Sequence, residues 1–180
     1  MLDSLSRLRT GRTKRVSSWD TSGKNGDAWE IPPGETMEIA GLPGAGVIRH
    51  IWMTVSSEDR LYLRKTMLRM YWDGQVHPSV EVPLGDFFGV GHARAASYSS
   101  SVLDMSANGG NDLNAGMNCW FPMPFSDGAR IDIINHSETA IRSFYFYIDY
   151  DEMDAIDDDE LRFHSLWRRE DPCPAPVRDA

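Results

Sequence analysis

The chain has 180 residues, the length of a single domain that can bury a hydrophobic core without help from disulfides or metals. Hydrophobic residues make up 41% and charged residues 25% of the sequence, which are globular proportions that exclude a disordered chain. The net charge of −9 argues against a nucleic-acid partner, which needs a basic surface, and no apolar run is long enough to span a membrane.

The cellular compartment and the need for cofactors are predicted from sequence motifs that are absent: a secretory signal, a disulfide framework and the motifs of known catalytic and cofactor sites. The first residues contain no apolar stretch of the kind that a secretory signal needs. The two cysteines, Cys119 and Cys173, are too few for a disulfide framework. A cytoplasmic location is therefore predicted. The sequence has no serine–histidine–aspartate signature, phosphate-binding loop, dinucleotide fingerprint or zinc motif, so no metal and no other cofactor is expected.

Residues 1–15 are predicted to form an N-terminal arm. Within it Leu2, Leu5 and Leu8 recur at intervals of three, which indicates at most a short amphipathic helix. The polar, glycine-rich stretch that follows, as far as Trp29, is predicted to be a loop because its Ser, Asp and Asn side chains compete for backbone hydrogen bonds.

From Glu35 onward the hydrophobic periodicity is that of β-strands. In the run after Gly46, alternate residues form the more apolar face, which is expected to meet the core. The members of this face are Val47, Arg49, Ile51, Met53 and Val55. Farther along, Asp73 and Gly74 lie between two apolar runs and predict a β-hairpin with a tight turn. Pro78 places the return strand at an edge or delays its start.

The remaining runs are short, rich in aromatic and β-branched residues, and separated by Gly, Pro, Asn and Asp clusters. About eight or nine strands without a long helical pattern predict an all-β fold, a single antiparallel jelly-roll sandwich. We assign this domain to residues 16–170 and a C-terminal tail to residues 171–180.

The run from Asp149 to Glu160 contains eight acids and no base. It is predicted to be a solvated loop, since it lacks the spacing and central glycine of a calcium-binding loop.

Three polar loop clusters are candidates for a binding site. The first contains Trp19, Asp20 and Asn25, where an indole ring can stack on a sugar while carboxylate and amide groups bind its hydroxyls. The alternative is a turn-forming loop with a tryptophan anchored in the core.

The second cluster contains Asp86 and His92, in a glycine-flanked loop that follows a strand and so suits a cleft. The alternative is that Asp86 caps a turn while the neighbouring phenylalanines fill the core. The third cluster contains Asn118, which should point to the same side of its strand as Trp120. The alternative there is a strand of ordinary core aromatics.

Glycoside hydrolysis generally needs two carboxylates that face one bond. Glu81 and Asp86 are the nearest such pair, one in a strand and the other in the loop after it. Nothing in their spacing compels the two to face one cleft, so no catalytic residue is assigned.

Several longer motifs resemble a known family. GAGVIRHIWMT, LRKTMLRMYWDGQVHPSVEVPLGDFFGVGH and GMNCWFPMPF are similar to the family long called domain of unknown function 2961 and now grouped as glycoside hydrolase family 172. The resemblance covers nearly everything from Val16 to Glu170. It implies tandem jelly rolls, activity on fructofuranose or arabinofuranose linkages, and assembly as trimers or multiples of trimers.

The resemblance also implies where catalysis would take place. The family's two catalytic glutamates belong to a second half of the chain, in a Gly-Thr-Glu-Asp type loop and a neighbouring acidic segment. No residue of this sequence matches either position.

The resemblance therefore predicts the N-terminal jelly-roll half of a furanoside-acting glycoside hydrolase, which supplies substrate contacts and oligomer surface without the catalytic pair. The predicted substrate-binding residues are Trp19, Asp20, Asn25, Asp86, His92 and Asn118. The predicted partners are a furanose-containing oligosaccharide and either further copies of the chain or a complementary second-half chain. The alternative is a non-catalytic carbohydrate-binding or structural assembly module.

Overall fold

The computed structural model describes residues 11–107 and 114–173. Within them the chain forms two β-sheets and two four-residue helices, and neither helix is long enough to cross a membrane. The strands are β1 (Arg12–Ser17), β2 (Trp29–Ile31), β3 (Thr36–Leu42), β4 (Ala45–Ser57), β5 (Thr66–Trp72), β6 (Val80–Pro83), β7 (Tyr98–Ser99), β8 (Leu103–Ala107), β9 (Asn114–Cys119), β10 (Met123–Phe125), β11 (Ala129–Asn135), β12 (Ile141–Met153) and β13 (Ser165–Leu166). The helices are α1 (Tyr62–Lys65) and α2 (Leu84–Phe87). The short helix predicted near the N-terminus falls outside the described residues.

The two sheets have the topology of a jelly roll. The larger sheet has the order β1-β12-β4-β9-β8-β7, with β2 paired to β12 and β10 paired to β4. The smaller sheet has the order β13-β6-β5-β11-β3. The neighbours β2-β12-β4-β9 in one sheet and β3-β11-β5-β6 in the other have the chain order and pairing of the eight jelly-roll strands. The predicted all-β jelly-roll sandwich is thus confirmed.

The core lies between the two sheets and is built by side chains that alternate along each strand. In β4 Ile51, Met53 and Val55 are at most 1% exposed. This agrees with the prediction that their side of the strand meets the core. In the neighbouring strand β12, Phe144 and Phe146 pair with Val55 and Met53, lie on the same side of the sheet and are fully buried. The period of two therefore fixes which side of each strand meets solvent.

The predicted inward face of β4 is wrong at Arg49. A bulge in β4 leaves Arg49 without a partner, because the consecutive β12 residues Asp149 and Tyr150 pair with His50 and Ile48. Ile48 consequently enters the core, where it is fully buried. The Arg49 side chain instead reaches a carboxylate, with its Nε 2.8 Å from Asp151 Oδ2.

The predicted hairpin is confirmed by the antiparallel pairing of β5 with β6. Asp73 and Gly74 both have positive φ, of 55° and 70°, which these two residue types tolerate. The pairing resumes at Val80, opposite Met70. This late start agrees with Pro78, which has no N–H to donate to a ladder.

The acidic run is only partly the solvated loop that its composition predicts. β12 extends to Met153, so the first acids of the run lie in a strand. They face the basic residues of β1: Lys14 Nζ lies 2.6 Å from Glu152 Oε1, and Arg15 Nε lies 2.6 Å from Asp149 Oδ1. Basic side chains of β1 are thus paired with acidic side chains of the neighbouring strand β12.

Candidate functional site

The outer face of the larger sheet carries aromatic and polar side chains where β12, β4 and β9 lie side by side. Because side chains alternate along β4, His50 and Trp52 point outward while Ile51 and Met53 point to the core. Residues of the neighbouring strands and of the segment after β9 complete this surface. We call it the aromatic-polar face, and its members are His50, Trp52, Asn118, Trp120, Tyr147 and Asp149.

Two stacked ring pairs form the apolar part of the face. Trp52 lies directly opposite Tyr147 in the sheet register, and the ring centroids are 4.7 Å apart with planes 25° from parallel. Trp120 stacks on His50 with centroids 5.3 Å apart and planes 15° from parallel. Trp120 is 41% exposed and Tyr147 is 38% exposed, so both pairs present ring surface to solvent.

A chain of hydrogen bonds joins the polar groups between the rings. His50 Nδ1 lies 3.1 Å from Asp149 Oδ2, and His50 Nε2 lies 2.9 Å from Asn118 Oδ1. Asn118 Nδ2 donates to Asp104 Oδ1 at 2.7 Å, which orients the amide with its oxygen toward the imidazole. Both ring nitrogens of His50 therefore face side-chain oxygens.

Asp149 is held as a carboxylate by its neighbours. Arg15 donates to it from Nε at 2.6 Å and from Nη2 at 3.0 Å, and the Arg15 guanidinium also lies 4.5 Å from the centre of the Tyr147 ring. Burial acts to raise the pKa of Asp149, but the hydrogen bonds from Arg15 and His50 outweigh burial and lower it. The face thus contains one fixed anion between two ring pairs.

A cavity of about 370 Å³ opens beside these groups, lined among others by Arg15, Arg49, His50, Trp120 and Asp149. Its wall combines ring edges with fixed donors and acceptors, the combination by which proteins bind polyhydroxy ligands. Both nitrogens of His50 are engaged by Asp149 and Asn118, so the ring is held in one orientation beside the cavity. Among residues 11–107 and 114–173, no cluster of three or more His, Cys, Asp or Glu side chains is arranged to hold a metal ion.

One of the six predicted site residues, Asn118, belongs to the aromatic-polar face. Trp19 lies two residues beyond Ser17, the last residue of the edge strand β1, and is 61% exposed. It is therefore not anchored in the core. Asn25 has a φ of 63° and lies in the loop between β1 and β2.

Asp20 organises its own loop. Its carboxylate accepts backbone N–H groups of Ser22 at 2.8 Å, Lys24 at 3.1 Å and Gly26 at 3.0 Å. The hydrogen bonds from Ser22, followed by those from Gly26 and Lys24, lower the pKa of Asp20 to about 2. Asp20 is thus an anion that shapes the turn.

Asp86 lies elsewhere in the molecule, and His92 is an exposed residue in the segment between α2 and β7. Asp86 belongs to α2, and its carboxylate lies 3.1 Å from Arg64 Nη1. The carbonyl oxygen of Phe88, directly after α2, accepts a hydrogen bond from Tyr98 Oη on β7. β7 is the edge of the larger sheet opposite to β1, so Asp86 lies across the sandwich from the loop that contains Trp19. The sugar-binding role of the six residues stays a prediction.

The two carboxylates considered for glycoside hydrolysis, Glu81 and Asp86, pair with two different arginines. Glu81 Oε1 accepts a hydrogen bond from Arg69 Nε at 2.7 Å, whereas Asp86 pairs with Arg64. Each carboxylate therefore has its own cationic partner.

Sequence reasoning missed His50, Trp52, Tyr147 and Asp149 as members of one site. The alternation in β4 and β12 signals that each residue points outward, but it does not tell which strands are neighbours. His50 is 99 residues from Asp149 and 68 from Asn118. Only the pairing of β4 with both β12 and β9 brings them together.

Comparison with protein families identifies a family for this chain. The model of a family described as GH172 domain-like matches residues 23–146. The matched region runs from the loop before β2 into β12 and includes His50, Trp52 and Asn118, whereas Arg15 and Asp149 lie outside it. No curated protein matches the chain.

Proposed function

Because the chain belongs to the GH172 domain-like family, we propose that it is the N-terminal jelly-roll half of a furanoside-acting glycoside hydrolase. In this proposal it supplies substrate contacts and assembly surface but not the catalytic glutamates. The family match supports a glycoside-hydrolase-related domain, and the resemblance of its longer motifs supports furanose linkages as the substrate class.

The observation that carries the proposal is the aromatic-polar face. Exposed rings offer flat apolar surface to the C–H side of a sugar, and carboxylate, amide and guanidinium groups at their edges bind hydroxyls. Trp120 and Tyr147 supply the ring surface. Asp149 and Asn118 are fixed in position by His50, so binding requires little further ordering of these side chains.

Sugar binding is tested by titrating the protein with arabinofuranose and fructofuranose oligosaccharides, followed by NMR. Replacement of Trp120 or Trp52 by Ala is expected to weaken binding about tenfold, through loss of ring contact. Trp167→Ala is the matched control, because Trp167 is 37% exposed but directly follows β13, a strand of the other, smaller sheet. Binding that is unchanged by Trp120→Ala and Trp52→Ala would refute the proposed face.

The missing catalytic pair is tested by assaying the purified chain alone. We expect no measurable hydrolysis of aryl α-arabinofuranoside or of fructose disaccharides, since neither catalytic loop of the family has a counterpart in this sequence. Turnover above the uncatalysed background that is abolished by Glu81→Gln or Asp86→Asn would overturn this part of the proposal.

The partners proposed for this half are further copies of the chain, as a trimer or a multiple of trimers, or a complementary chain that carries two glutamate-bearing loops. Activity that appears only when such a second chain is added would favour the hydrolase half. Saturable sugar binding with no partner requirement would favour the alternative, a non-catalytic carbohydrate-binding module.

A further inference from the structure

A second cavity, of about 610 Å³, lies beside α1, α2 and the segment after β13. None of the members of the aromatic-polar face lines it. Two apolar residues, Met67 and Pro83, form part of its wall. We call it the arginine–indole cavity, and its polar and aromatic members are Arg64, Asp86, Trp167, Arg168, Arg169 and Glu170.

The indole ring of this cavity is held from two sides. The backbone N–H of Trp167 donates to the carbonyl oxygen of Glu81 at 3.1 Å, which attaches the segment after β13 to β6. The guanidinium carbon of Arg64 lies 5.1 Å from the centre of the Trp167 ring. Since Trp167 keeps 37% of its surface exposed, the cavity presents a positioned ring surface.

Arg64 positions the ring and is not free to bind a ligand. Its Nη1 lies 3.1 Å from Asp86 Oδ1 and its Nη2 donates to the carbonyl oxygen of Gly91. The Asp86 side chain is 17% exposed and that of Arg64 30%, so this pair lies within the wall of the cavity. The two opposite charges offset each other there, and Trp167 rests on a neutral pair.

The other two arginines are available to an incoming anion. Arg168 Nη2 pairs with Glu170 Oε1 at 2.5 Å, with side chains that are 82% and 47% exposed. Arg169 Nη2 contacts Asp171, and both side chains are about two-thirds exposed. Exposed ion pairs of this kind contribute little free energy. A ligand carboxylate can therefore replace either partner at small cost.

Two guanidinium groups beside a positioned indole define the chemistry of the ligand. A guanidinium binds a planar carboxylate through two parallel hydrogen bonds, and an indole face packs against the C–H side of a sugar ring. A neutral sugar offers the guanidinium groups hydroxyls but no carboxylate for two parallel hydrogen bonds, and a polyanion would be repelled by the net charge of −9. We propose that the arginine–indole cavity binds a sugar ring that carries a carboxylate, a uronic acid.

The experiment titrates the full chain with a disaccharide that carries one galacturonic acid residue and, separately, with the same disaccharide in which the carboxylate is reduced to an alcohol. We expect the acid to bind about tenfold more tightly than the reduced form, to quench tryptophan fluorescence, and to bind more weakly as salt is added. Equal affinity for the two forms, or no binding of the acid, would overturn the proposal.

Variants locate the binding site. Replacing Arg168 and Arg169 together by Gln is expected to weaken binding of the acid about tenfold, and Trp167→Ala to remove the fluorescence change. Arg142→Gln is the matched control, because Arg142 is an exposed arginine on β12, in the other sheet. Circular dichroism establishes that each variant folds. If Trp167→Ala does not fold, the Arg168/Arg169 variant decides alone, and unchanged affinity in it would refute the site.

This inference is independent of the proposed furanoside activity. The variants Trp52→Ala and Trp120→Ala are expected to leave uronic acid binding unchanged, and the Arg168/Arg169 variant to leave furanose binding unchanged. If the tryptophan variants or the Arg168/Arg169 variant lose binding of both furanose and uronic acid, the two cavities are not separate sites. That result would contradict the proposal.

Discussion

Asp73 uses both carboxylate oxygens to close the turn after β5. Oδ1 accepts the backbone N–H groups of Ser126 at 2.6 Å and Asp127 at 2.8 Å, and Oδ2 accepts Arg162 Nε at 2.6 Å. Burial acts to raise the pKa of Asp73, but the hydrogen bonds from Asp127, Arg162 and Ser126 outweigh it and lower the pKa. One side chain thus joins the hairpin turn, the loop before β11 and the segment before β13.

Replacement of Asp73 by Asn is expected to lower the free energy of unfolding by about 2 kcal/mol at neutral pH, through loss of the charged bond to Arg162. Asn is the appropriate substitute because it also tolerates positive φ. A carboxyl whose pKa is lowered in the folded state contributes stability above its ordinary pKa and loses it as the pH falls.

The stability difference between wild type and Asp73→Asn should therefore shrink between about pH 7 and about pH 3. Urea unfolding at the two pH values measures it. A difference that is the same at both would contradict the role given to the Asp73 charge.

The pKa of Asp86 is shifted in the opposite direction from that of Asp73. Burial raises its pKa above the ordinary value near 3.8, and the attraction of Arg64 opposes this without cancelling it. A carboxyl whose pKa is raised in the folded state favours folding most when it is protonated, and this contribution falls as the pH rises from the ordinary value through the folded-state pKa.

The stability of wild type relative to Asp86→Asn is therefore expected to decrease as the pH rises from about 3. The same urea experiments measure this difference. An increase with pH, in the direction expected for Asp73, would show that the pair with Arg64 outweighs burial.

At the scale of the elements, the central β4–β12 pair depends on a close approach at Gly46. A β-carbon at this position would lie 2.7 Å from Cζ of Phe125 and 2.8 Å from the carbonyl oxygen of Asp151. Gly46 pairs with β12 on one side and with β10 on the other. Three strands are thus in contact at a residue without a side chain.

Gly46→Ala is expected to lower the free energy of unfolding by about 1–3 kcal/mol, because the backbone and the Phe125 ring must both move. Gly116→Ala is the matched control: it lies on β9 next to β4, and its β-carbon would meet only Trp52 Nε1, at 3.8 Å. Thermal unfolding of the two variants gives the comparison. Equal melting temperatures would contradict the close packing at Gly46.

At the scale of the whole molecule, several large apolar side chains are left exposed. They are Trp19, Leu61, Val76, Trp120, Tyr147, Leu161, Leu166 and Trp167. Exposed apolar side chains favour association, and in the assembly proposed above a second jelly roll or further copies of the chain would cover part of this surface.

The chain alone is therefore expected to form an oligomer, or to be poorly soluble, at micromolar concentration. Light scattering over a range of protein and salt concentrations measures the mass. A compact monomer whose mass is independent of salt would contradict this expectation and remove the support for an assembly surface.

The sequence by itself determined the local features of this protein. The alternation of apolar residues identifies the strands and the buried side of residues such as Ile51 and Met53, because a period of two is set by the backbone of a single strand. Asp73 and Gly74 identify the hairpin for the same reason, since a turn depends on a few adjacent residues. The resemblance to the family likewise depends on contiguous motifs.

The tertiary structure alone decided which of these residues meet. The bulge in β4 turns Arg49 away from the core, and such a shift depends on how two distant strands align. His50 meets Asp149 and Asn118 because β4 pairs with strands far away in the sequence, and Trp167 reaches Arg64 because β13 pairs with β6. Periodicity reports the direction of each side chain within its own strand, but the neighbours of that strand are chosen by the packing of the entire sandwich.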